Sequence, residues 1–257
     1  MKKLFLTISL CTAAYLFVKA YFFELYTVST SSMEPTLIPN DFVIVSKFSD
    51  RNLFNRFFAF TTIQELDCTS DKIASVQKGD LILFNPPLFI EGKKQKWEEP
   101  FIKRCIGLPG DSLKIKVNKY SLYDLVELNY YNNLDEKLSE TKNYQVYIPR
   151  KGNAILLSDT LAPNLLDLIL GEGHIFKKDF DGTILIDGKK SSTYIVQKDY
   201  YFFIGDNHLN SLDSRKFGFV SKENLLGKIL CVAWSLNSKY DLWYKKINWE
   251  RIGKIPK

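Results

Sequence analysis

Residues 79–87 read Gly79-Asp80-Leu81-Ile82-Leu83-Phe84-Asn85-Pro86-Pro87. A turn pair is followed by four apolar residues in a row and a double-proline stop. Such a run between turn signals predicts a short buried strand. Proline cannot donate to a strand ladder, so Pro86 and Pro87 end it. The chain repeats this device. Pro39-Asn40 precedes the strand candidate Asp41–Phe48, and Gly110-Asp111 and Gly205-Asp206 are further turns beside apolar runs. Short strands joined by tight turns predict a mainly β body.

Composition agrees with that reading. At 257 residues the chain has ample material for a core, and with 46% hydrophobic residues it is not disordered. Its aromatic residues, chiefly Phe and Tyr, favour strands over a helical bundle. The net charge of +6 comes from dispersed lysines with no Arg-rich run, which argues against a nucleic-acid partner and fits solubility and attraction to anionic lipid. Cys11, Cys68, Cys105 and Cys231 lie far apart without metal-ligand spacing, and the default reading is buried free thiols. With His174 and His208 as the only histidines, no ligand set forms, so neither metal nor cofactor is expected.

Leu4 to Phe23 forms an apolar segment with Lys2 and Lys3 before it. A bilayer core needs about 20 apolar residues, so the segment reads as a membrane span with its N-terminus in the cytoplasm. Lys19, near the far end, is placed to snorkel to the interface. The segment ends in bulky aromatics where a cleavable signal peptide would carry a small-x-small site, so an uncleaved anchor is expected.

Three stretches carry chemistry. In Ser29-Thr30-Ser31-Ser32-Met33-Glu34-Pro35-Thr36-Leu37, Pro35 biases Glu34 towards an extended conformation, which predicts that Ser32 and Met33 run along a groove wall. No Gly-x-Ser-x-Gly elbow is present, and two histidines give a Ser-His-Asp triad little material. The base is therefore sought among lysines. If Phe101–Ile106 is a strand, alternation puts Phe101, Lys103 and Cys105 on one face and Ile102, Arg104 and Ile106 on the other. A lysine on an apolar face loses hydration, its pKa falls, and the neutral amine can take a proton from a serine. A solvated strand lysine is the plain alternative. The third stretch, Tyr200–Val220, brings a strand into a polar loop in which Ser211 can orient the amine while Asp213 and Arg215 pair.

Together these stretches resemble a bacterial type I signal peptidase, the leader peptidase of peptidase family S26. Ser-Met-x-Pro-Thr-Leu, Asp-Phe-x-x-Val-x-Lys-Phe, Gly-Asp-Leu-Ile-Leu-Phe, Lys-Arg-x-x-Gly-Leu-Pro-Gly-Asp and Gly-Asp-Asn-x-x-Asn-Ser-x-Asp-Ser-Arg occur in that family's order. The similarity runs from the anchor to Arg251-Ile252-Gly253 and is poor over 49–78 and 115–197. It implies a membrane-anchored Ser/Lys protease with a β-barrel core and an inserted second β-rich lobe. The implied division is a cytoplasmic 1–3, an anchor over 4–23, a catalytic β domain over 24–114 and 198–257, and the lobe over 115–197.

The resemblance makes Ser32 the nucleophile, Lys103 the general base and Ser211 its hydrogen-bond partner. Thr30 would share an oxyanion hole with the Ser32 amide. Asp213, Arg215, Asp206 and Arg104 would brace the site, and Met33 would line a substrate pocket. The implied substrates are signal peptides of exported preproteins, cut after small-x-small sites, with membrane lipid and the export machinery as partners. The implied place is the cytoplasmic membrane, with the catalytic domain on its outer side. Three departures stand out: Asn40 where the family has Gly, His208 and Leu209 where it commonly has Arg and Asp, and one span where some members have two. Two alternatives are a peptidase dedicated to one secretion or conjugation system and a non-catalytic anchored assembly protein.

Elsewhere, Asn143–Ile148, Ala154–Leu157 and Thr183–Ile186 read as strands and Leu165–Leu170 as a short helix. His174 reads as an ordinary loop histidine without a partner. The aromatic cluster Phe54–Phe60 fits either core or a loop dipping into the membrane surface.

Overall fold

The computed structural model describes residues 23–47, 75–90, 92–117, 142–157, 163–237 and 246–256, with six helical residues between 5 and 12. Most of the apolar N-terminal segment, the Phe54–Phe60 cluster and Cys68 lie outside the described residues. Among those described, no helix is long and apolar enough to cross a membrane. Phe23, expected to close the span, instead opens the first strand.

In chain order the strands are β1 Phe23–Thr27, β2 Asp41–Lys47, β3 Leu81–Phe84, β4 Phe89–Ile90, β5 Lys93–Lys94, β6 Phe101–Gly107, β7 Ser112–Val117 and β8 Lys142–Tyr147. There follow β9 Ala154–Leu156, helix α1 Pro163–Gly171, β10 Phe176–Lys178, β11 Ile184–Ile186, β12 Lys189–Lys190 and β13 Thr193–Ile195. The chain continues with β14 Tyr200–Ile204, helix α2 Ser214–Phe217, β15 Val220–Ser221 and β16 Leu225–Ser235. The mainly β expectation holds. A seven-stranded sheet, ordered β1-β2-β16-β3-β6-β14-β15, carries the site. It curls into a half-barrel: the Tyr26 hydroxyl on edge strand β1 donates to the Pro100 carbonyl just ahead of β6, at 3.1 Å.

The continuous apolar run in β3 has a direct cause: both faces of the strand are covered. Leu81 and Leu83 join a core cluster with Met33, Val43 and Ile102, while Ile82 and Phe84 join another with Cys105, Phe203 and Phe217. Strand β14 alternates likewise. Tyr201 and Phe203 enter the second cluster, whereas Tyr200 and Phe202 enter a third with Leu168, Ile169 and Tyr194. Strands β8, β9 and β11 and helix α1 fall where the sequence placed them, whereas β10, β12 and β13 carried no strand expectation. Val146, Ile155, Leu168, Ile169, Phe176, Ile186 and Tyr194 from this region share that third cluster with β14.

Asn40 stands in the left-handed region at φ 69°, a conformation that Asn tolerates, as the replacement of Gly there required. Cys105 is buried, but Cys231 is only partly so and Cys11 is exposed, so burial holds for one of the three described thiols. His174 is not partnerless. Its Nδ1 lies 2.6 Å from Asp187 Oδ2 and its Nε2 2.6 Å from Gln197 Nε2.

Candidate active site

Strand β1 ends at Thr27, and the next residues are held against the start of β2: Val28 N donates to Asp41 O at 2.8 Å and Asn40 N to Val28 O at 2.9 Å. Thr30 is extended, after which Ser31–Met33 makes a single 3-10 turn. The sequence placed Ser32 and Met33 along a groove wall and outside any helix, whereas both lie within this turn. Glu34 is indeed extended at ψ 143°, but its peptide bond to Pro35 is cis and the turn precedes it. The turn is held from outside: Asn207 N donates to Ser32 O (3.0 Å), Asn207 Nδ2 to Ser31 O (3.1 Å) and Asn210 Nδ2 to Ser31 Oγ (2.9 Å).

Lys103 lies in the middle of β6, opposite Ile82 of β3. Its Nζ is 2.5 Å from Ser32 Oγ, across 71 residues of sequence. The side chain is buried at 4% exposure, and Nζ sits 5.3 Å from the centre of the Phe101 ring, on the face that alternation gave it. Burial pulls its pKa from 10.5 down to about 8, against the opposing pull of the Asp213 and Asp206 carboxylates. Cys105, on the same face, is pushed up by burial to about 12 and stays a protonated thiol. Thr30 Oγ1 lies 3.1 Å from Ser32 Oγ.

The polar loop after β14 supplies the frame. Arg215 grips Asp213 with Nε to Oδ1 and Nη2 to Oδ2, each at 2.9 Å, and Asp213 also caps α2 and accepts from Gly205 N at 3.0 Å. Burial would raise the Asp213 carboxyl; Arg215 and the Gly205 amide overcome it and hold the group ionised. Arg104, pointing away from Lys103, makes a bidentate pair with Asp206 at 2.8 and 2.6 Å. Burial opposes ionisation of Asp206 too, and Arg104 overcomes it.

Ser211 is buried close by but, among the described residues, makes no well-formed hydrogen bond to Lys103 or to any other group. Its proximity is nonetheless one of the causes that lower Asp213. His208 contributes its backbone carbonyl, which accepts from Arg215 Nη2 at 2.8 Å. A cavity of about 330 Å³ opens beside Ser32, lined by Val28, Thr30, Met33, Phe101, Ile102 and Lys103 among others.

The sequence pattern described as "Signal peptidase, peptidase S26" matches residues 1–234. The chain belongs to that family. It is 32% identical to the Signal peptidase I of Buchnera aphidicola subsp. Baizongia pistaciae over 93% of its own length and 78% of that protein's. The Signal peptidase I of Aquifex aeolicus is 25% identical over 91% of this chain and 85% of its own. A solved signal peptidase I from Enterococcus faecalis overlaps 61% of this chain and 97% of its own, at 21% identity and a TM-score of 0.26, too low to bear on the fold.

Within this S26 peptidase, several residues near the site had no role in the sequence reading. Asn207 and Asn210 stood in a quoted motif, yet nothing local showed that they reach back to Ser31 and Ser32. Gly205 was read as a turn, but its φ is not positive. It is needed for space, since a Cβ there would lie 2.1 Å from Ser211 Oγ and 2.6 Å from Ser32 O. Asp41 is fully buried and held by Arg251, with Nε to Oδ1 at 2.8 Å and Nη2 to Oδ2 at 2.5 Å. Arg251 also donates to Thr36 O at 3.0 Å, so the chain's end clamps the loop that follows Ser32.

Proposed function

We propose that this chain is a membrane-anchored serine endopeptidase that removes signal peptides from exported preproteins after small-x-small sites. One observation carries the reading: the Lys103 amine, desolvated to a pKa of about 8, lies 2.5 Å from Ser32 Oγ at the edge of a groove. A base works best with a pKa near the operating pH. With Nζ neutral, the Ser32 hydroxyl donates to it and Oγ attacks the scissile carbonyl carbon. The proton passes to Nζ, and the tetrahedral oxyanion is stabilised by the Ser32 amide and by the Thr30 hydroxyl rotated away from Ser32. Collapse breaks the peptide bond, the Lys103 ammonium protonates the leaving amine, and an ester remains on Ser32. Lys103 then deprotonates water, whose attack releases the signal peptide and restores both groups.

In this reading Ser211 closes on the amine when substrate fills the groove, while the Asp213–Arg215 and Asp206–Arg104 pairs keep the loop and β6 in register. Met33, at 1% exposure, forms the floor of a pocket for a small side chain. The substrate's extended segment lies between the continuation of β1 and the start of β6, a β-augmentation mode. The apolar N-terminal segment up to residue 22 holds the enzyme in the cytoplasmic membrane, with the catalytic β domain on the outer side, near lipid and the export machinery. Residues 115–197 form an inserted lobe.

The test is cleavage of a precursor bearing an Ala-x-Ala site by the full chain in detergent, compared with Ser32→Ala and Lys103→Ala. Both substitutions are expected to abolish cleavage. Retained activity in either rules out the Ser/Lys assignment.

A further inference from the structure

The groove beside Ser32 carries one acidic side chain among its described lining residues, Glu99. It is exposed and sits on the rim ahead of β6. From the opposite rim, Ser29 Oγ donates to Glu99 Oε2 at 3.3 Å. The adjacent bond from Tyr26 to the Pro100 carbonyl spans the same gap. Burial raises the pKa of the Tyr26 phenol, and the Glu99 charge adds to it, so this carboxylate acts inside the groove as well as at its mouth. The Ser29 bond is long and joins two exposed groups, so it contributes little and is readily exchanged for a stronger partner. An ammonium or guanidinium is such a partner.

We propose that Glu99 is a specificity-determining residue that favours a cationic side chain on the bound peptide and disfavours an acidic one. The inference rests on the peptidase reading. In an extended substrate, side chains alternate. When the residues one and three before the cut point into the cavity, those two and four before it point outward to the rim. Glu99 is four residues ahead of Lys103, a span of at most about 13 Å and therefore about four substrate residues. The outward residue four before the cut lies level with the carboxylate, and the one two before lies within reach of a long side chain. The charge thus selects at positions where size does not.

The experiment measures kcat/KM of the full chain in detergent on precursors with an Ala-x-Ala site, carrying Ala, Lys or Glu two or four residues before the cut. Wild type is expected to prefer Lys to Glu by about threefold to fivefold at low salt, the range of an exposed pair, and by less at high salt. Glu99→Gln levels the series and Glu99→Lys reverses it, while all three proteins cut the alanine precursor alike, because Glu99 does not take part in the Ser32–Lys103 chemistry. Equal rates on Lys and Glu precursors in wild type, or a preference surviving in Glu99→Gln, overturn the proposal and leave the peptidase reading intact. Failure of wild type to cut any precursor overturns both.

Discussion

Replacing Lys103 by Met should abolish activity and yet make the folded protein more stable at neutral pH. The folded pKa of Lys103, about 8, lies below its ordinary 10.5. The unfolded chain therefore binds the proton more tightly, and charging the amine works against folding. At pH 7, a shift of that size converts to a penalty of about 3 kcal/mol. Because the folded state holds fewer protons between the two pKa values, the penalty is full below pH 8, falls to about 2 kcal/mol at pH 9 and is nearly gone by pH 11. Methionine fills a similar volume without charge. Ser32 loses a hydrogen-bond partner, which costs about 1 kcal/mol. The net expectation is a gain of about 2 kcal/mol at pH 7 that declines and changes sign as the solution is made alkaline. Urea unfolding of the full chain in detergent, followed by tryptophan fluorescence at pH 7, 9 and 11, reads this directly. A variant less stable than wild type at pH 7, or a difference independent of pH, refutes the reasoning.

The rate on an Ala-x-Ala precursor should rise about tenfold per pH unit below the Lys103 pKa and level off above about 8, as the neutral amine accumulates. A rate that is flat from pH 6 to 9, or still climbing at pH 10, contradicts a desolvated base. Gly205→Ala should disable the enzyme while costing about 1–3 kcal/mol of stability, since the new methyl meets the Ser32 carbonyl and the Ser211 hydroxyl; full activity would show that the loop has room to yield. Arg251→Ala leaves the Asp41 carboxylate buried without its partner and should cost about 3–5 kcal/mol, read as a lower denaturation midpoint. A loss below 1 kcal/mol would mean that Asp41 finds water or another donor.

Much of the fold was legible because β structure writes short-range signals. The run Leu81–Phe84 between a Gly-Asp turn and two prolines left little choice but a buried strand, and the structure adds that its two faces feed different core clusters. Alternation in Phe101–Ile106 put Lys103 on one face with Phe101 and Cys105, and the amine does lie over the Phe101 ring. Near Ser32 the local reading was less complete. Pro35 fixed Glu34 as extended, but the 3-10 turn at Ser31–Met33 is held by Asn207 and Asn210, whose distant partners no local pattern reveals.

By itself, then, the sequence determined the mainly β class, the family and the residue types available for chemistry, because strand periodicity, turn residues and motif order are properties of neighbours along the chain. The tertiary structure decided what those residues are able to do. Burial of the Lys103 amine comes from side chains on separate strands, and a pKa responds to everything packed around the group. The 2.5 Å approach of Lys103 to Ser32, the space that Gly205 leaves, and the clamp of Arg251 on Asp41 are contacts between distant segments. So is the groove itself, which exists because a seven-stranded sheet curls until its edge strand β1 faces the start of β6.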